Sequence, residues 1–142
     1  MPFEYPFRVY LEDTDAGGIV YHANHLKFCE RARTEWLRAQ AIEHYLHAGD
    51  YSFVVHRLSI DYHQPAKIGD LLQVTVQPIA CQSASFRLQQ IIRRAEMPIA
   101  SVHVSLACLD ANLRPRRLPE NIRDLLHQQM IEDETRRGAV PA

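Results

Sequence analysis

"NHLKFCERARTEWLRAQA", residues 24–41, decides the fold. Leu26, Cys29, Ala32, Trp36, Leu37 and Ala39 recur at mostly three- and four-residue steps, with Lys27, Arg31, Glu35 and Arg38 between them. That is the spacing of a helix with one apolar stripe. Asn24 stands where an N-cap belongs, which predicts a helix of about four to five turns. Glu30 with Arg33, and Arg31 with Glu35, are spaced as on a solvated helix face. Trp36 and Leu37 read as core rather than as contacts for a cofactor.

Outward from this helix the period changes. Upstream, "FRVYLE" (7–12) alternates as a short strand that ends near Asp13, where "DTDAGG" supplies turn chemistry. Downstream, after a loop at "HAGD" (47–50), "YSFVVHRLSIDYHQP" places Val54, His56, Leu58, Ile60 and Tyr62 on one face, and Pro65 ends it. Three more strands follow in "LLQVTVQPIA", "ASFRLQQIIRR" and "IASVHVSLACLD", the last with Val102, Val104, Leu106 and Cys108 on one face. The breaks at 66–70, 81–83 and 95–98 are short, which suits antiparallel neighbours, since parallel ones need long crossovers. A last helix starts at Pro119 with Ile122, Leu125, Leu126, Gln129 and Met130 on its packed side, and the tail "TRRGAVPA" reads as loose. One long helix and a curved antiparallel sheet that cover each other's apolar faces make an α+β domain.

The chain has 142 residues, the usual size of one domain, so residues 1–142 are expected to form a single unit. Sixteen basic and seventeen acidic side chains leave a net charge of −1. This gives no support to a general attraction for nucleic acid or membrane, and no segment reaches the length of a membrane span. A soluble, cytoplasmic protein is expected. Cys29, Cys81 and Cys108 are odd in number and widely spaced, which reads as reduced, mostly buried thiols.

Just before the helix, "LEDTDAGGIVYHAN" (11–24) packs three acids, two adjacent glycines and a Tyr-His pair together. A surface loop uses acids and glycines but has no need of the Tyr-His pair. The longer run "RVYLEDTDAGGIVYHANHLKFCERARTEWLR", residues 8–38, resembles the signature of the hotdog-fold acyl-CoA thioesterases. Within them it is similar to the 4-hydroxybenzoyl-CoA thioesterase-like branch and its YbgC-type enzymes, associated with the Tol-Pal system. Weaker echoes continue in "DYHQPAKIGD" and "RPRRLP", and the element order fits that fold over about residues 5–134.

The resemblance implies roles. The family's catalytic acid, a nucleophile or general base, falls on Asp15, whereas Asp13 matches a position without such a role. The family's histidine falls on His22, and Tyr21 and Asn24 fall where the substrate carbonyl meets the start of the helix. The resemblance also implies a homodimer or homotetramer, with sites between subunits, and no cofactor. Leu11 departs from many relatives, which carry a tyrosine there.

Thioester hydrolysis needs a nucleophile or activated water and a donor for the developing oxyanion. Gly17 and Gly18 let the backbone approach a ligand, and amides around Tyr21–His25 lie near a helix N-terminus, which favours negative charge. A metal site from His22, His25 and Cys29 lacks a fourth ligand at suitable spacing. Arg114, Arg116 and Arg117 are candidates for the phosphates of CoA or for an acyl carrier protein, and equally for a solvated turn. Ser83 and Arg87 lie in "QSASFR" (82–87), where related enzymes contact the CoA nucleotide. A hotdog hydratase and a non-catalytic carrier-protein partner are the competing functions.

Overall fold

A computed structural model describes residues 2–42 and 49–139, with side chains described as far as Asp133. Strand β1 (Phe3–Arg8) precedes helix α1 (Asn24–Ala39), then come β2 (Tyr51–Tyr62), β3 (Leu71–Cys81), β4 (Ser85–Arg94), β5 (Met97–Asp110) and helix α2 (Glu120–Ala139). The five strands form one antiparallel, curved sheet in the order β1-β3-β4-β5-β2. Alternation puts Val102, Val104, Leu106 and Cys108 of β5, and Leu88 and Ile92 of β4, in the core. Helix α1 presents His25, Phe28, Cys29, Ala32, Trp36 and Leu37 as its buried residues, and it packs on β1, β3 and β4.

The first strand lies earlier than the sequence suggests. It runs over Phe3–Arg8, and Leu11–Asp13 is a 3₁₀ turn instead of strand. Local bonds decide this: Asp13 Oδ2 accepts the Tyr10 amide (2.8 Å), and the Thr14 hydroxyl donates to the Leu11 carbonyl (2.7 Å). Pro6 pairs with Gln73 and is tolerated because β1 is an edge strand. In β2 the register slips between Val55 and Arg57. The expected alternation therefore holds for Leu58 and Ile60, opposite buried Val104 and Val102. It fails for Val54, which pairs with Ala107 on the other face, and for His56 within the bulge.

Asn24 is not the N-cap. Ala23 occupies that position without a side-chain bond, and Asn24 Nδ2 donates back to the Asp13 carbonyl (2.9 Å). The sequence "TRRGA" (135–139) continues α2, so the tail is helical in backbone to Ala139. Of the loop "HAGD", His47 and Ala48 lie outside the described residues. Two polar groups tie the layers together. Gln90 is fully buried, donates to the Cys29 carbonyl (3.0 Å) and accepts from Arg33 (2.9 Å). Trp36 Nε1 donates to Gln129 Oε1 (3.0 Å), joining α1 to α2. Cys29 and Cys108 are buried, Cys81 is half-buried, and none is in a disulfide.

Candidate active site

The segment that carries Asp15 is held on both sides. Thr14 bridges Val20, Ile19 bridges Lys67, and the Val20 amide donates to the Ala66 carbonyl (2.9 Å). The 66–70 turn is itself fixed: Gly69 takes φ +89°, and Asp70 Oδ2 accepts the Lys67 amide (2.9 Å) and Arg94 (2.7 Å). These bonds hold the Asp70 carboxyl below the ordinary carboxylate range, the Lys67 amide contributing most. The Asp15 loop thus rests on a rigid support reaching back to β4.

Within the loop, the Gly17 amide donates to Asp15 Oδ1 (2.8 Å), and the Gly18 amide to the Asp15 carbonyl (3.0 Å). Gly18 sits at φ +80°, where a side chain is strained. A Cβ on Gly17 would stand 3.2 Å from Asp15 Oδ1, so this glycine keeps room for the carboxylate. Asp15 Oδ2 has no hydrogen-bond partner among the described residues. Asp13 differs: its carboxylate caps the 3₁₀ turn, and its carbonyl accepts Tyr21 N and Asn24 Nδ2 (both 2.9 Å).

Asp15, Ile19, Val20, His22, His25 and Tyr62 line one cavity of about 500 Å³, completed by residues 63–66. Two of its rings hold the helix start in place. The Tyr62 hydroxyl (2.6 Å) and the His25 Nδ1–H (3.2 Å) both donate to the His22 carbonyl, and the His25 and Tyr62 rings meet edge to face at 5.0 Å. The His22 ring makes no hydrogen bond among the described residues and stacks at a tilt on Tyr21, 4.4 Å away. The Tyr21 and Asn24 amides are bonded to Asp13 and Tyr21 carbonyls, while those of His22 and Ala23 meet no backbone acceptor among the described residues. Asp15, with an unpaired carboxylate oxygen, and His22, with an unbonded ring and an open amide, therefore line one pocket beside a helix start.

The structure brings Asp15 and His22 together in this cavity; Gly17, Tyr21 and Asn24 support it from behind rather than lining it. Sequence reading missed Tyr62, His63 and Gln64, although "DYHQPAKIGD" carried the signal. Leu11 is 75% exposed and makes no part of the lining. Among the described residues no three His, Cys, Asp or Glu side chains are grouped so as to hold a metal ion.

Burial depresses the His25 pKa below 6.5, partly opposed by its bonds to the His22 and Tyr21 backbone. The folded protein thus binds fewer protons at this ring than the unfolded chain. Its stabilisation is complete above pH 6.5 and is lost as pH falls from there through the lower folded value. Thermal unfolding is expected at a lower midpoint at pH 5 than at pH 7. His25→Asn, which keeps a donor near the His22 carbonyl, should flatten that difference; an unchanged pH dependence would contradict it.

Known proteins share both the sequence and the architecture. The chain is 39% identical over 128 residues to the acyl-CoA thioesterase YbgC of Haemophilus influenzae, covering 88% of this chain and 94% of the relative. It is 31% identical over 125 residues to a 1,4-dihydroxy-2-naphthoyl-CoA hydrolase of Nostoc punctiforme, covering 86% and 84%. Among solved structures, a probable thioesterase from Bartonella henselae superposes with a TM-score of 0.73 at 36% identity, over 82% of this chain and 96% of that one. The 1,4-dihydroxy-2-naphthoyl-CoA thioesterase of Synechocystis gives 0.82 at 26% identity, over 89% and 96%. Sheet, helix and neighbours together define a hotdog-fold enzyme, a hydrolase. The chain belongs to the thioesterase-like superfamily, whose family profile matches residues 9–126.

Proposed function

We propose that this enzyme hydrolyses acyl-CoA thioesters to free acid and CoA, with Asp15 as nucleophile or general base. The observation that carries the reading is the uncommitted Asp15 Oδ2 in the same cavity as a helix start with open amides. As general base, Asp15 takes a proton from water while the water oxygen bonds to the thioester carbon. The carbonyl electron pair moves to oxygen, facing the His22 and Ala23 amides. Collapse breaks the C–S bond, and CoA leaves as thiolate to be protonated from solvent. As nucleophile, Asp15 would bond that carbon itself, and water would then cleave the mixed anhydride. Gly17 holds the carboxylate, Asn24 and Tyr21 hold the turn, and the His22 ring faces the acyl group. The names of the YbgC relatives support this substrate class. No metal or organic cofactor enters the reaction.

Crotonyl-CoA separates this from a hydratase. Incubation is expected to release free CoA and crotonate; 3-hydroxybutyryl-CoA with its thioester intact would overturn the reading.

The active unit in this proposal is a homodimer, alone or within a tetramer. Strand β2 ends the sheet with no proline across its twelve residues, and Val54, Val55 and Tyr62 on it are 37%, 44% and 48% exposed. An edge of that kind is a template for a second copy. Light scattering at micromolar concentration should give at least twice the chain mass; an active monomer would contradict it. The cytoplasm is the proposed compartment, in keeping with three unpaired thiols, and no described helix is long and apolar enough to cross a membrane. Function alongside the Tol-Pal system and use of an acyl carrier protein as acyl donor are part of the same proposal. Of the three arginines that are candidates for phosphates, Arg116 is engaged in the fold, its guanidinium lying over the Tyr51 ring (5.3 Å) and its Nε donating to the Arg117 carbonyl (3.2 Å).

A further inference from the structure

Tyr62 comes to the pocket from the end of β2, and its hydroxyl is committed to one backbone atom, the His22 carbonyl, forty residues away in the chain. That carbonyl stands one residue before the helix cap Ala23, outside the helix ladder, whose first bond runs from the Leu26 amide to the Ala23 carbonyl (3.2 Å). No backbone amide among the described residues donates to it. Two side chains do so instead. The Tyr62 hydroxyl at 2.6 Å and the His25 Nδ1–H at 3.2 Å fill its two acceptor positions, and the shorter bond is that of Tyr62.

The tyrosine is itself braced. It pairs with Ala100 of β5, and the amides of His63 (2.8 Å) and Gln64 (3.2 Å) both donate to the carbonyl of buried Ile99. His63 Nε2 lies 2.9 Å from the Ser101 hydroxyl, and the Tyr62 ring meets the His25 ring edge to face. The hydroxyl is therefore delivered by the sheet, and its bond joins the sheet edge to the start of α1.

The bond bears on the open amide of His22. The Tyr21 carbonyl and the His22 N–H belong to one rigid peptide plane, and the His22 carbonyl belongs to the next. The first plane is held by the Asn24 amide, which donates to the Tyr21 carbonyl (2.8 Å), and the second by Tyr62 and His25. With both planes fixed, the direction of the His22 N–H is fixed, and so is the bond that carries its ring. A donor already aimed at the place where charge develops needs no reorganisation during the reaction.

We propose that Tyr62 is a positioning residue for hydrolysis: through the His22 carbonyl it holds the His22 amide where the thioester oxygen becomes negative. It thus acts on the transition state more than on bound substrate. The inference rests on the reading of this pocket as the hydrolytic site, and its test separates the two.

Tyr62→Phe keeps the ring against His25 and removes only the donor. With the acyl-CoA that the wild type hydrolyses fastest, kcat is expected to fall by about tenfold, less than removal of a direct oxyanion donor costs, with KM within about twofold. 4-Aminophenylalanine at position 62, which restores a donor at the same place, should recover most of kcat. Ser101→Ala removes a neighbouring brace without touching the His22 carbonyl and should keep the wild-type rate. Without substrate, the NMR amide resonances of His22 and Ala23 should shift in Tyr62→Phe and stay in place in Ser101→Ala. A wild-type kcat in Tyr62→Phe, an effect on KM alone, no recovery by the amino analogue, or an equal loss in Ser101→Ala would overturn the inference and leave the hydrolytic reading standing. A wild type inactive on every acyl-CoA would overturn both.

Discussion

Asp15→Asn is expected to lower the turnover number by about a hundredfold or more, the cost of removing a positioned base or nucleophile. The substitution keeps the side chain's size and its acceptor oxygen, so the bond from the Gly17 amide (2.8 Å) can persist and the loop stays formed. What is removed is the basicity of a carboxylate that lines the cavity. Affinity for substrate should change little. Asp13→Asn is the internal control: it lies two residues away, but its carboxylate caps the turn at the Tyr10 amide and does not line the cavity. It should keep most activity. His22→Ala should fall between the two, because the His22 amide survives the substitution. A dead Asp13 variant beside an active Asp15 variant, both folded, would mean that the catalytic acid has been placed wrongly.

Trp36→Ala is expected to destabilise the protein by about 3–5 kcal/mol, the range for removing a large aromatic side chain from a core. Trp36 is 1% exposed and among the largest fully buried side chains, and its indole nitrogen is bonded to Gln129. Loss of the ring leaves a cavity and also releases α2 from α1. At a few degrees per kcal/mol, the unfolding midpoint should drop by about 10 °C or more. Trp36→Phe retains most of the packing but forfeits the bond to Gln129, so a loss of about 1–2 kcal/mol is expected from it. Equal midpoints for wild type and the alanine variant would show that the α1–α2 contact contributes nothing to stability.

Both variants draw on features that the sequence exposes unequally. The central helix and the strands from Tyr51 onward are legible because period alone distinguishes them, and buried rows such as Val102–Val104–Leu106 repeat without interruption. Where a local hydrogen bond competes with period, the pattern misleads. Tyr10 to Glu12 close the alternating run "FRVYLE" and read as strand, yet the Asp13 carboxylate draws Leu11–Asp13 into a 3₁₀ turn. Asn24 has the right chemistry for an N-cap, but a more distant carbonyl, that of Asp13, claims its amide. The bulge after Val55 depends on pairing with β5, a non-local property invisible in β2 alone.

The candidate site divides in the same way. Asp15 and His22 are adjacent in the chain to the helix start, so a single motif carries them both. Tyr62 and its neighbours are forty residues further on and reach the cavity only because β2 ends beside the helix N-terminus, as the Tyr62 bond to the His22 carbonyl shows.

The central claim is hydrolysis of acyl-CoA thioesters, and thiol release by the purified wild-type protein tests it most directly. Aliphatic and aromatic acyl-CoA substrates, offered with a chelator present, should yield free thiol over many turnovers, matched one for one by free acid, for at least one acyl class. Release no faster than the uncatalysed reaction for every substrate, from a folded protein, would contradict the account.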